Sequence, residues 1–296
     1  MSSDRRAFVG SLVAGLGALA LPGALVGCAK SPEGTESRGA DGKGQGGGNH
    51  LDAIGVQLYT LRSLLAKDFE GTLAALARIG YREVEFAGLY DHAPADIRVI
   101  LEREGLTAPA GHYPLEALRD DPNGTLDTAA ELGHRYVVVA WLAEADRNSA
   151  DALRRTAETF NRIGGAAAAR DLRFAYHNHD FEFRAVGNEL PFDVLLAETD
   201  PGLVWYEMDL FWITKGGKDP LDYFARYPAR FPLVHVKDMA AGGKMVDVGA
   251  GAIDWPRIFA RREQAGIEHY FVEHDEPGDP IASVTASYRY MRDLKL

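Results

Sequence analysis

From residue 53 onward the chain alternates between two patterns of apolar positions. Short apolar runs rich in β-branched and aromatic residues predict strands at 53–60 (AIGVQLYT), 81–88, 106–113, 135–142, 173 onward, 203–211, 231–239 and 269–276. Between them lie longer runs in which apolar residues recur every three or four positions, the spacing of one helix face. These predict helices at 67–80, 94–105, 123–133, 149–170, 191–199, 220–228, 254–266 and about 280–293. Phe69, Leu73, Leu76 and Ile79 mark the face of the first helix and Gly80 its stop, Pro94 and Gly105 bracket the second, and Asp254 is placed to cap the seventh. Eight strand–helix units in one pass predict a closed (β/α)8 TIM barrel. The alternative, an open doubly wound sheet, lacks support because GVQLYTLRS after the first strand carries no glycine-rich dinucleotide fingerprint.

The first fifty residues follow neither pattern. MSSDRRAFVGSLVAGLGALALPGALVGC, residues 1–28, places a twin arginine (Arg5, Arg6) before an apolar run and ends in Leu25-Val26-Gly27-Cys28. That is the order of a charged region, an apolar region and small residues before a cleavage point, here of the twin-arginine lipoprotein type. Cys28 is the only cysteine, so the following domain has no disulfide and no thiol of its own, and lipidation suits it better than catalysis. Residues 29–50 are Gly, Ser and charge, the composition of a flexible tether. Residues 51–296 remain for the barrel. The expectation is an exported, lipid-anchored, periplasmic or cell-surface protein that meets the membrane through its anchor alone.

The formal net charge of the chain is −11, and removing Asp4, Arg5 and Arg6 with the first 28 residues leaves −12. An acidic surface disfavours nucleic acid, whose phosphates need basic partners, and argues against a nuclease.

Strand ends carry the candidate chemistry, because barrels place their reacting groups at the C-terminal ends of several strands. Gln57, Glu85, His112 and Trp141 stand at the first four ends. His177, His179 and Glu182 stand at the fifth, Glu207, Asp209 and Trp212 at the sixth, His235, Lys237 and Asp238 at the seventh, and Glu273, His274 and Asp275 at the eighth. RFAYHNHDFEF puts ligand-type side chains where an apolar run ends, and mixed His, Asp and Glu donors on strands five to eight suit a divalent cation with open coordination positions. Alternation along a strand puts His177 with His179, Glu207 with Asp209, His235 with Lys237, and Glu273 with Asp275 on shared faces.

MDLFW, LVHVKDM, DVGAGAIDW and FVEHDE resemble the sugar phosphate isomerase/epimerase family of xylose isomerase-like barrels, over the whole domain from GVQLYTLR to the last helix. The resemblance implies one divalent metal ion (Mn2+, Mg2+, Co2+ or Zn2+) held by a Glu, an Asp, a His and a Glu at strand ends five to eight. Carried over, these are Asp209, His235 and Glu273, with His177 standing where the family has its first Glu and His179 next to it. It implies isomerase, epimerase or lyase action on a sugar or keto-sugar, by proton abstraction beside a carbonyl through a metal-stabilised enediolate. Glu273, His179 and Lys237 are then the catalytic candidates. Glu182, His112, Trp141, Trp212, Gln57 and Glu85 are left for a carbohydrate substrate. Replacing one of two opposed glutamates by His177 breaks the symmetric pair of an epimerase and brings a lyase acting on a keto-glycoside into view. No Arg/Lys cluster or phosphate cradle marks the strand ends, which points to an unphosphorylated sugar. The other reading is a lipid-anchored sugar-binding protein without chemistry.

Overall fold

The computed structural model describes residues 51–296; the expected signal segment and tether lie outside the described residues. Eight parallel strands, β1 (Gly55–Gln57), β2 (Glu83–Phe86), β3 (Thr107–His112), β4 (Tyr136–Val139), β5 (Arg173–His177), β6 (Val204–Asp209), β7 (Leu233–Val236) and β8 (His269–Val272), form a closed barrel. Closure comes from β8 pairing with β1, Gly55 opposite Phe271 and Val56 opposite Val272. The main helices are α1 (Phe69–Ile79), α2 (Pro94–Glu104), α3 (Pro122–Leu132), α4 (Ala150–Ala168), α5 (Pro191–Glu198), α6 (Pro220–Arg226), α7 (Trp255–Phe259) and α8 (Pro280–Asp293). Side-chain oxygens of Asp68, Asp121, Ser149, Asp219, Asp254 and Asp279 accept from first-turn amides, which fixes where six of them begin.

Predicted strands run longer than observed ones, for a chemical reason. The strand expected to reach residue 60 stops at Gln57, whose Oε1 accepts from the Tyr59 amide and starts a helical turn, Leu58–Leu61. The strand expected to reach 211 stops at Asp209, whose Oδ1 accepts from the Trp212 amide and caps a short helix, Leu210–Lys215. The helix expected over 254–266 is two pieces, α7 and Arg262–Ala265.

Alternation inside the barrel sets the height of the site. Ala110, Tyr136, Val138, Ala175, Leu233 and Phe271 pack together as the interior. Two residues further along four of those strands stand His112, His177, His235 and Glu273. The polar layer is therefore the next storey of the same inward-facing rows.

His134, just before β4, is buried and its Nδ1–H donates to the Ala108 carbonyl at 2.7 Å. Burial pushes its pKa down from 6.5 to about 4. Between those values the unfolded chain binds more protons than the folded one, so stability rises with pH through the window and is lost as pH falls through about 4. His134→Asn is expected to flatten urea-unfolding stability over that window, where this residue alone accounts for about 3 kcal/mol.

Candidate metal centre and active site

The storey above the apolar interior is a connected set of buried imidazoles and carboxylates. Gln57 donates through Nε2 to Glu85 Oε2 at 2.8 Å, and the same oxygen lies 2.6 Å from His235 Nε2. Three imidazole nitrogens gather on Glu207 Oε2: His112 Nε2 at 2.9 Å, His177 Nδ1 at 3.2 Å and His235 Nε2 at 3.2 Å. On its other edge, His235 Nδ1 lies 2.7 Å from Glu273 Oε2 and 3.9 Å from Asp209 Oδ2. His177 Nε2 lies 3.8 Å from Asp209 Oδ2. Lys237 Nζ sits among Asp209 Oδ2 (3.0 Å), Glu273 Oε2 (2.8 Å) and Asp275 Oδ1 (2.9 Å).

Burial and charge compete at every group here. Burial works to raise the Glu85 carboxyl, yet His112 and His235 outweigh it and hold the group well below the usual carboxylate range. Burial opposes a charged His112, but Glu85 and Glu207 push it up to about 9. His235 and Lys237 are likewise held well above their ordinary values against burial, the first by Glu207, Glu85 and Glu273, the second by Asp209, Asp275 and Glu273. Glu273 is held low by Lys237 and His235 against its burial. For Asp209 burial wins over Lys237 and His235, and its pKa rises to about 6. Burial and the neighbouring His235, His179 and Lys237 drive His177 far down, which keeps it a neutral imidazole with a lone pair to give.

This donor set fits a divalent cation. His112, His177, Glu207 and His235 offer ligand atoms within 4.8 Å of one another, and so do Asp209, His235 and Glu273. Several of the atoms approach at hydrogen-bond distance without hydrogen-bond direction. His235 Nδ1, His177 Nδ1 and Asp209 Oδ2 are buried and make no hydrogen bond to the described residues. Buried polar atoms left so are costly. Their convergence on shared space, with nitrogen and carboxylate oxygen as donors, is what Mn2+, Co2+ or Zn2+ accepts.

One wall of the mouth is aromatic. The Trp141 ring is 47% exposed and meets His179 at 5.2 Å and Phe181 at 4.9 Å between centroids. The His179 ring stacks on Phe181 and lies 5.6 Å from Trp212. The segment after β7 is tied together by one carboxylate. Asp238 accepts there from the amides of Met239, Gly249, Gly251 and Ile253 and from the Trp255 indole. Its glycines are needed: Gly249 has φ 90°, and a Cβ on Gly251 would lie 2.1 Å from Asp238 Oδ1.

A family model described as the xylose isomerase-like TIM barrel matches residues 73–294. The chain belongs to the xylose isomerase-like TIM barrel family. A sugar phosphate isomerase/epimerase from Parabacteroides distasonis superposes with TM-score 0.74 at 26% identity, covering 83% of this chain and 96% of that one. Two inosose dehydratases are similar over 73% of this chain and 84% of their own length: that of Geobacillus thermodenitrificans at 23% identity and that of Clostridium botulinum at 21%.

Of the ligands expected in this xylose isomerase-like barrel, Asp209, His235 and Glu273 offer donor atoms within 4.8 Å of one another, with Lys237 between the two carboxylates, while His177 groups with His112, Glu207 and His235 and reaches Asp209 Oδ2 at 3.8 Å. Gln57, Glu85 and His112, read from the sequence as substrate contacts, join the layer beneath; Gln57 and Glu85 are wholly buried. Glu182 is elsewhere engaged: one oxygen takes the Tyr176 hydroxyl and the other the His179 amide at 2.8 Å. β5 ends at His177 and a 3-10 turn, Phe181–Phe183, follows, so Glu182 fastens that turn to the strand. Glu207 is the residue the ligand assignment passed over. Its shared face with Asp209 was the available signal, and three imidazoles meet it. Asp275, on the face of Glu273, completes the shell of Lys237.

Proposed function

We propose that this chain is a divalent-metal-dependent lyase or isomerase that removes a proton beside the carbonyl of an unphosphorylated sugar or keto-sugar. The observation that carries the reading is one buried cluster that joins a cation-binding imidazole–carboxylate set to an ammonium, beneath an aromatic wall. Its relatives support it: dehydration and isomerisation can both begin with loss of a proton from the carbon next to a carbonyl.

His177, Asp209, His235 and Glu273 would hold the cation, which supplies Lewis-acid polarisation of a carbonyl oxygen. The contacts of Glu273 given above all use Oε2, and its Oε1 is the group that takes the proton. Lys237, fixed by three carboxylates, places positive charge where negative charge develops on the substrate. His179, set by the hydrogen bond its backbone N–H donates to Glu182 and by its stacking on Phe181, is the acid that serves a departing oxygen. The Trp212 indole N–H makes no hydrogen bond to the described residues and offers itself to a substrate hydroxyl. Trp141 takes the apolar face of a sugar ring. Trp141→Ala is therefore expected to raise KM about tenfold, ~1.4 kcal/mol, with kcat within about twofold, measured by steady-state kinetics on the best keto-sugar.

The test is metal content by elemental analysis together with deuterium uptake from heavy water into keto-sugars. One ion per chain with exchange supports the reading; loss of water or an aglycone in the product identifies a lyase, and a rearranged sugar an isomerase. A protein that takes up no Mn2+, Co2+ or Zn2+ sinks it in favour of a sugar-binding protein. The N-terminal sequence supports export and anchoring at Cys28, which fatty-acid labelling of expressing cells would test.

A further inference from the structure

Glu85 is 0% exposed, so no substrate reaches it, and no step above uses it. Its contacts run in a line. The Tyr59 amide donates to Gln57 Oε1 at 3.0 Å, and Gln57 Nε2 donates to Glu85 Oε2 at 2.8 Å. His235 Nε2 lies 2.6 Å from that same oxygen in hydrogen-bond geometry. The opposite nitrogen, Nδ1, is buried, makes no hydrogen bond to the described residues, and faces Glu273 and Asp209. A neutral imidazole has one N–H and one lone pair. Carboxylates flank both nitrogens, Glu85 at Nε2 and Glu273 at Nδ1. A carboxylate only accepts, so when a cation takes the place of the hydrogen on Nδ1 the one remaining N–H is the Nε2–H held by Glu85.

We propose that Glu85 is a positioning residue for His235: steadied by Gln57, it selects the Nε2–H tautomer and aims the Nδ1 lone pair at a divalent cation shared with Asp209 and Glu273. The inference rests on the metal-dependent reading above and adds a residue to it. A competing placement exists one layer down, among His112, His177, Glu207 and His235. There, however, His235 Nε2 is already bonded to Glu85, and His112 Nε2 to Glu207 at 2.9 Å. Nε2 of His235 thus already has its partner in the floor, whereas Nδ1 faces Asp209 and Glu273, the carboxylates with which it would share the ion.

The experiment uses Co2+ alone as the probe on the wild-type protein and Glu85→Gln, with folding checked by circular dichroism. Glu85→Gln keeps the volume and removes the charge, and is expected to weaken Co2+ binding about 10–100-fold in competition titrations. An independent measurement needs no variant: the 15N chemical shifts of His235 in Zn2+-loaded wild-type protein should report a protonated Nε2 and a metal-bound Nδ1. Unchanged Co2+ affinity in Glu85→Gln, with binding lost in Asp209→Asn, would overturn the role of Glu85 and leave the metal-dependent reading standing. A metal-bound Nε2 on His235, or loss of the ion in His112→Gln with Asp209→Asn intact, would place the ion in the floor and also overturn it. Absence of any ion in wild type would remove both.

Discussion

Replacing Glu273 by glutamine is expected to lower turnover of a keto-sugar by about a thousandfold and to abolish deuterium uptake at the carbon beside the carbonyl. The size follows from what a positioned base contributes, roughly 10²–10⁴-fold. Glutamine keeps the shape and a carbonyl oxygen but cannot take a proton. The neighbours of Glu273 fix its protonation state while lowering its basicity. Against its burial, Lys237 and His235 hold Glu273 ionised, so it stands ready without a proton to lose first. Near-UV circular dichroism would show that the fold survives, and the Co2+ titration would separate loss of the base from loss of the ion. Exchange at the wild-type rate in Glu273→Gln would move the base to another group, with Asp209 and His179 next to be changed.

The second large effect is on stability. Asp238 is buried and accepts five hydrogen bonds: from Met239 N (2.8 Å) and Ile253 N (3.2 Å) on Oδ1, and from Gly249 N (2.9 Å), Gly251 N (3.1 Å) and Trp255 Nε1 (3.1 Å) on Oδ2. Alanine leaves four amides and an indole without their acceptor, in a place where each unmet donor costs about 1–3 kcal/mol. Relaxation and entering water recover part of that sum. Asp238→Ala is expected to lose about 4 kcal/mol in urea unfolding, and Asp238→Asn nearly as much, because its amide would face donors with donors. A loss below about 1 kcal/mol would show that the loop is held instead by its hydrophobic contacts, Trp255 first among them.

Much of this was legible in the chain. Period-two and period-3.6 patterns marked eight units, because each depends only on which residues neighbours along the chain place on one face. MDLFW, HVKD and FVEHD marked Asp209, His235 and Glu273, and alternation set Asp275 beside Glu273, where both now meet Lys237. The substrate contact expected of Glu182 is what RFAYHNHDFEF did not deliver. The turn at Phe181–Phe183, which no apolar pattern marks, brings Glu182 back to Tyr176. Strand ends were overrun for a related reason: Gln57 and Asp209 cap the turns that follow them, a bond local in sequence yet invisible to an apolar pattern.

The sequence by itself therefore determined the elements, the class of barrel and the inventory of groups at its mouth. Only the tertiary structure decided how those groups divide. Glu85 and His235 are 150 residues apart and meet because the sheet closes and its register sets both at one height. Closure buries Glu85 against one edge of His235, sets Glu273 at the other, and puts Lys237 between Asp209 and Glu273. Those are contacts between strands, fixed by pairing and stagger, on which no local periodicity bears.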